Sequence, residues 1–279
     1  MMLWKKEKLF CEINPACYAI SVQKEIFKRH LQNLRRRDCF AMKIIKRKLP
    51  NLVYEHHSHL IKKGKGIDQN LQQNKAVNIG LACKKLNGLI IYPGEMFSFW
   101  KLIGSTTKRK GYKEGRVIEK NRIKPGIGGG LCNLSNTIHF LVLHSPLTVT
   151  EFHSHSDALA PDEGERVPFS SGTSVNYNYI DYRFKNNTEQ PVQLLVWCAD
   201  GNLYAELRSM YPFQYSYRIV EENHHFQKEG EKYYRISQIY KETVDKNTGK
   251  VLYRNLVLDN HSEVMYDYSL IPGELIIND

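Results

Sequence analysis

Six cysteines are present, but no C-x-x-C pair: Cys11, Cys17, Cys39, Cys83, Cys132 and Cys198 lie far apart. That spacing argues against a disulfide framework and a cysteine-type zinc module, and fits reduced thiols in a reducing compartment. No segment has the continuous apolar length of a membrane span. The opening MMLWKKEKLFCEINPACYAI is broken by KKEK and Glu12 and shows no small-residue cleavage site. No secretory signal is therefore expected, and the expected location is the cytoplasm. Internal repeats, low-complexity tracts and recognised nucleic-acid modules are also missing, so no specific nucleic-acid partner is expected.

What the chain does have is enough apolar material, 42% of 279 residues, to bury a sizeable core. Its 40 Lys+Arg against 29 Asp+Glu give a net charge of +11. Such a balance favours an acidic surface partner, whether an anionic membrane or an anionic cell-wall polymer. The charges are dispersed, so a generally basic solvated surface explains them as well.

The residue pattern divides the chain into a basic helical N-terminal segment (1–67), a core domain (68–210) and a C-terminal β-rich extension (211–279). In the first, Ser21 is placed to cap an amphipathic helix reaching Arg37, with Val22, Ile26, Leu31 and Leu34 near one face. HHSHLIKKGKG then reads as a loop in which His56, His57 and His59 are exposed. A second helix spans Asp68 to Leu86, stopped by Asn87-Gly88 and followed by β-rich LIIYPGEMFSFW. Helical spacing returns from Leu131 to about His144, with Leu134, Ile138, Leu141 and Val142 facing inward. LTVTEFHSH alternates like a strand, three more strands follow with turns at Asn186-Asn187 and Asp200-Gly201, and KNTG joins a long C-terminal hairpin. The expected class is α+β: an antiparallel sheet packed on a helix that begins at a Gly-rich turn, with a helical N-terminal segment and a C-terminal β-hairpin.

That Gly-rich turn, PGIGGGLCNLSN, holds the most suggestive chemistry. Gly128, Gly129 and Gly130 permit positive φ and close approach of a ligand or backbone. Cys132, in the first helical turn, would feel unpaired N–H groups and the positive end of the helix dipole, both of which favour a thiolate. The same donors, with Asn133 beside them, could hold an oxyanion or substrate. A thiol nucleophile needs a base. His139 is two turns along the helix and too far, whereas period-two alternation puts Glu151, His153 and His155 on one strand face. Asp181 is the candidate orienting acid, with Asp157 second; alternatively Asp181 caps a turn or pairs with Arg183. The competing chemistry is zinc held by His153 and His155 with Cys132 or Asp157, although the paired cysteines that usually mark such sites are missing. No metal or cofactor is expected. A purely structural reading gives the glycines to packing and Cys132 to the core.

Taken in series, PGEMFSFW, KRKGYKEG, GIGGGLCNLSN, HFLVLHSPL, FHSHS and YNYIDYRFKNNT resemble the VanW family over about residues 68–208. The resemblance implies a link to glycopeptide resistance and, as a setting, cell-wall peptides or their precursors. Family members usually carry Gln where this chain has Asn133, and an acid-containing DATV where it has GTSV (Gly172 to Val175). The shared D-x-R-F-K-N-N pattern falls on Asp181. A thiol-dependent acyl transferase or amidohydrolase and a non-catalytic ligand-binding module are the two functional expectations.

Overall fold

Asn14 accepts the Cys17 N–H at 2.8 Å and Pro15 takes the first helical position, so helix α1 runs Pro15–Arg36. It begins six residues before Ser21, because the Asn-Pro pair is the stronger start signal. The computed structural model describes residues 9–61, 68–119, 122–154 and 172–277 together with Ala158, Pro161 and Pro168. Strands β1 (Lys43–Ile44) and β2 (Asn51–His59) follow, then α2 (Gln69–Leu86), β3 (Leu89–Ile91), β4 (Met96–Ser98) and the short α3 (Phe99–Ile103). The ribbon β5 (Glu114–Glu119) and β6 (Arg122–Ile127) leads into α4 (Leu131–Leu143). Next come β7 (Thr148–Glu151), β8 (Arg183–Lys185), β9 (Val192–Ala199) and β10 (Asn202–Ser209). The C-terminal part holds β11 (Tyr215–Glu229), β12 (Lys232–Asp245), β13 (Val251–Glu263) and β14 (Ile276–Ile277).

The central sheet is antiparallel in the order β1-β3-β9-β10-β2. Its middle is the β9–β10 hairpin, closed by Asp200 (φ 49°) and Gly201 (φ 74°), the double positive φ of a tight hairpin turn. Residues 43–59, assigned from sequence to the N-terminal segment, supply strands to both ends of this sheet. The expected loop around the histidines is therefore strand β2, with His57 and His59 exposed and His56 half-buried, its ring 4.3 Å from that of Phe140. Polar residues on both faces of an edge strand leave no apolar alternation to read.

Helices α2 and α4 pack on the sheet. Ile79, Ala82 and Leu86 of α2 and Leu134, Ile138 and Leu141 of α4 bury completely, or nearly so, with Leu194, Val196, Leu203, Ala205 and Leu207. Each such side chain contributes about 1.5–3 kcal/mol by leaving water. The four expected inward residues of α4 are buried, and so are Ser135, Asn136, Thr137 and His139, because a second layer covers the far side of the helix. That layer includes the three-stranded sheet β4-β8-β7 and the 172–182 segment. The expected C-terminal hairpin is β12–β13, turning through Lys246 to Gly249, and β11 and β14 widen it to four strands in the order β13-β12-β11-β14. Lys241 of β12 donates to the Ser145 carbonyl at 2.6 Å, tying this sheet to the end of α4.

Candidate functional site

The glycine turn is a packing junction. Gly130 caps α4 with φ 97°, and Gly128 has φ 78°. A Cβ on Gly129 would stand 2.2 Å from the Gly115 carbonyl carbon, one on Gly130 2.1 Å from Lys75 Cγ, and one on Gly128 2.6 Å from Thr106 Cβ. Buried Asn78 of α2 fixes the arrangement: its amide donates to Gly129 O (2.9 Å) and Lys113 O (3.0 Å), and its Oδ1 accepts from Lys113 N (2.8 Å). The room made by the glycines is thus occupied by β5, Lys75 and Thr106, the close approach of backbone that the sequence allows beside that of a ligand. Neither Lys75 nor Asn78 carried a sequence signal, since both read as ordinary helix residues.

Cys132 lies in the first turn of α4, partly exposed, with its thiol 3.9 Å from the Val175 carbonyl. Burial pushes the thiol above its ordinary pKa, and backbone contacts at Val175 and at Cys132 itself offset only part of that rise. Desolvation here works against the thiolate that the helix start favours. One residue on, Asn133 Oδ1 accepts from Ser58 Oγ of β2 at 3.3 Å. One helical turn on, Asn136 Oδ1 accepts from Gly172 N (3.2 Å) and Thr173 Oγ1 (3.1 Å), holding the GTSV segment along this face of α4.

The same segment carries His153. The Ser174 N–H donates to the His153 carbonyl at 2.8 Å, and Ser154 bridges Thr173. Beyond the end of β7, the His153 imidazole meets Glu151 with Nε2–Oε1 at 3.0 Å. Glu151 is a hub: Arg29 of α1 grips it with two bonds of 2.6 Å, and the Asp181 N–H donates to it at 3.2 Å. Burial pushes its carboxyl up, but the bonds from Arg29 and His153 and the charges of Arg29 and Arg183 bring it below the ordinary value.

Asp181 is fully buried and its four partners are Ser98 Oγ (2.6 Å), Trp100 N (3.1 Å), Tyr182 N (2.9 Å) and Arg183 Nε (2.7 Å). No histidine is among them. The carboxylate that meets the His153 imidazole is Glu151, which alternation sets on the same face. Arg183 in turn donates to Asn33 of α1 at 2.9 Å. Cys132 meets Val175 and His153 meets Ser174, adjacent residues of the 172–175 segment, and no hydrogen bond joins the Cys132 and His153 side chains. His155 and Asp157 lie outside the described residues. Among the described residues, no group of three His, Cys, Asp or Glu side chains is placed to hold a metal ion. Two clefts of about 450 and 370 Å³ share Phe213, Tyr215 and Tyr217 beside the C-terminal sheet, and Cys132 lines neither.

His139 has a different role. It is buried, its Nδ1 is 3.0 Å from Tyr182 Oη, and its ring stacks on Phe152 at 4.6 Å. Burial, with the nearby Lys241 charge, lowers its pKa to about 3. Unfolding restores an ordinary histidine of about 6.5, so the unfolded chain binds a proton between these values that the folded chain refuses. Stability from His139 is present above about pH 6.5 and is lost as the pH falls toward 3. Thermal melts at pH 7 and pH 5 should show a smaller difference for His139→Asn than for the unaltered chain. An unchanged difference would locate the acid sensitivity elsewhere.

A Gly-capped helix packed on an antiparallel sheet, with a second layer over its far side, makes this an α+β domain. Residues 74–208 match the family model VanW, described as VanW like protein. The chain is 28% identical over 228 residues, 82% of this chain and 83% of the relative, to the vancomycin B-type resistance protein VanW of Enterococcus faecalis. It is also 29% identical over 137 residues to the uncharacterized protein YoaR of Bacillus subtilis, covering 49% of this chain and 44% of that one. No solved structure matches the chain.

Proposed function

We propose that this chain acts in glycopeptide resistance as a thiol-dependent acyl transferase or amidohydrolase on cell-wall peptides or their precursors. The observation that carries the reading is the Glu151–His153 pair, one backbone bridge away from a partly exposed cysteine at a helix start. Burial opposes the thiolate, so in this reading a base removes the proton as the sulfur attacks a carbonyl. His153, oriented by Glu151, is that base in this reading, and His155 is the alternative that the sequence pattern supports. Helix-start N–H groups near Cys132 would receive the developing oxyanion. The resistance setting comes from the name of the Enterococcus relative.

A second reading has its own support. Filled space at the glycines and a saturated Asp181 favour a structural role for the glycine turn and for Cys132.

Alkylation of Cys132 against pH, followed peptide by peptide so that the other cysteines serve as references, separates the two. The enzyme reading expects labelling of the folded chain with an inflection that shifts in His153→Ala or His155→Ala, and turnover of a cell-wall peptide that Cys132→Ser abolishes. Labelling only on unfolding, with an intact resistance phenotype in Cys132→Ser, would establish the structural reading.

A further inference from the structure

We propose that the outward face of α1 docks on an anionic lipid surface. Ile20, Phe27 and Leu34 recur at seven-residue intervals, so they drift only about 20° per step and share one stripe. They are 59%, 64% and 76% exposed, Leu31 lies beside them, and Ile13 continues the line just before the helix. No residue of α1 is buried. Yet the helix is pinned: Arg29 holds Glu151 and the Tyr179 carbonyl, and Asn33 holds Arg183, all from the opposite face. The apolar stripe therefore points away from the body by construction.

Charge identifies the occupant. Lys24, Lys28 and Arg35 flank one side of the stripe, Arg36 and Arg37 close the helix, and its single acid, Glu25, is held by Lys28 at 2.8 Å. A basic helix with an apolar face and too little hydropathy to span lies in the interface of an anionic bilayer, with its lysine stems reaching up to the headgroups. Among the described residues no helix is long and apolar enough to cross a membrane. A second copy of α1 fits poorly, because pairing two stripes would bring the flanking cations together. The positions three residues after Ile20 and Phe27 are Gln23 and His30, which spoil an apolar seam.

Full-length protein should sediment with phosphatidylcholine vesicles containing about one-third phosphatidylglycerol, and at least tenfold less well with phosphatidylcholine alone or in high salt, since the basic flank supplies much of the attraction. Phe27→Glu with Leu34→Glu should lower vesicle affinity about tenfold or more while leaving circular dichroism and thermal unfolding unchanged, both side chains being exposed. Equal binding to both vesicle types, no binding, or full binding by the double variant would overturn the proposal. A concentration-dependent dimer that the double variant abolishes, without vesicle binding, would assign the stripe to a second copy. Cys132 chemistry plays no part in these readouts, so their failure leaves the proposed function standing.

Discussion

Gly129→Ala is expected to destabilise the fold by about 3 kcal/mol or more, the upper range for forcing atoms into a filled core. The added methyl would stand 2.2 Å from the carbonyl carbon and 2.4 Å from the carbonyl oxygen of Gly115, and 2.8 Å from Arg116 N. All three are backbone atoms, so no rotamer change relieves the clash. Asn78 bonds to the carbonyl of Gly129 and to both backbone groups of Lys113, which stops the turn and the start of β5 from moving apart cheaply. The melting temperature should fall by about 6 °C or more. Gly94→Ala is the comparison: unlike Gly129 it has positive φ, 82°, but a Cβ there meets open space, so only the backbone strain of about 1 kcal/mol applies. Similar melting temperatures for the two variants would mean that β5 and the glycine turn are not in contact.

Arg29→Met should release α1. The Arg29–Glu151 pair is largely buried, with side-chain exposures of 11% and 15%. Removing one partner of such a pair costs about 3 kcal/mol, since the other charge stays desolvated. Because the contact joins one helix to the body, the loss appears as local opening. Hydrogen exchange or proteolysis within residues 15–36 should rise about a hundredfold, each 1.4 kcal/mol being about tenfold. Acid should act in the same direction. The Glu151 carboxyl is lowered in the folded chain, so its stabilising effect is present above the unfolded value of about 4.3 and disappears as pH falls through the lower folded value. Unchanged exchange in α1 would show that the Asn33–Arg183 bond suffices to hold it.

The elements with strong local signals were legible in the residues. Asp68 caps α2 with two bonds, Asp200-Gly201 makes its hairpin, and the four apolar positions of α4 face the core. What local pattern could not supply was pairing across long separations. HHSHL carries no apolar alternation, and β2 becomes a strand through its register with β10, about 150 residues later. The site divides in the same way. Alternation put Glu151 and His153 together, while Asp181 went to Arg183, the pairing that the sequence offered as its alternative, and to Ser98 and Trp100, which the three-dimensional arrangement alone supplies. The charge reading of Cys132 weighed the helix dipole but had no measure of burial, and burial sets the direction.

The order β1-β3-β9-β10-β2 also places a demand on synthesis. Outer strands come from the first part of the chain, and the hairpin between them is made last. When β3 leaves the ribosome, its partner β9 is about a hundred residues away, roughly 5–20 s of elongation. For that interval Leu89 and Ile91, both fully buried in the finished sheet, have only the two-residue β1 on one side of their strand and nothing in the place of β9. The core therefore assembles only after residue 209 has emerged, and the nascent N-terminal third must stay unaggregated until then.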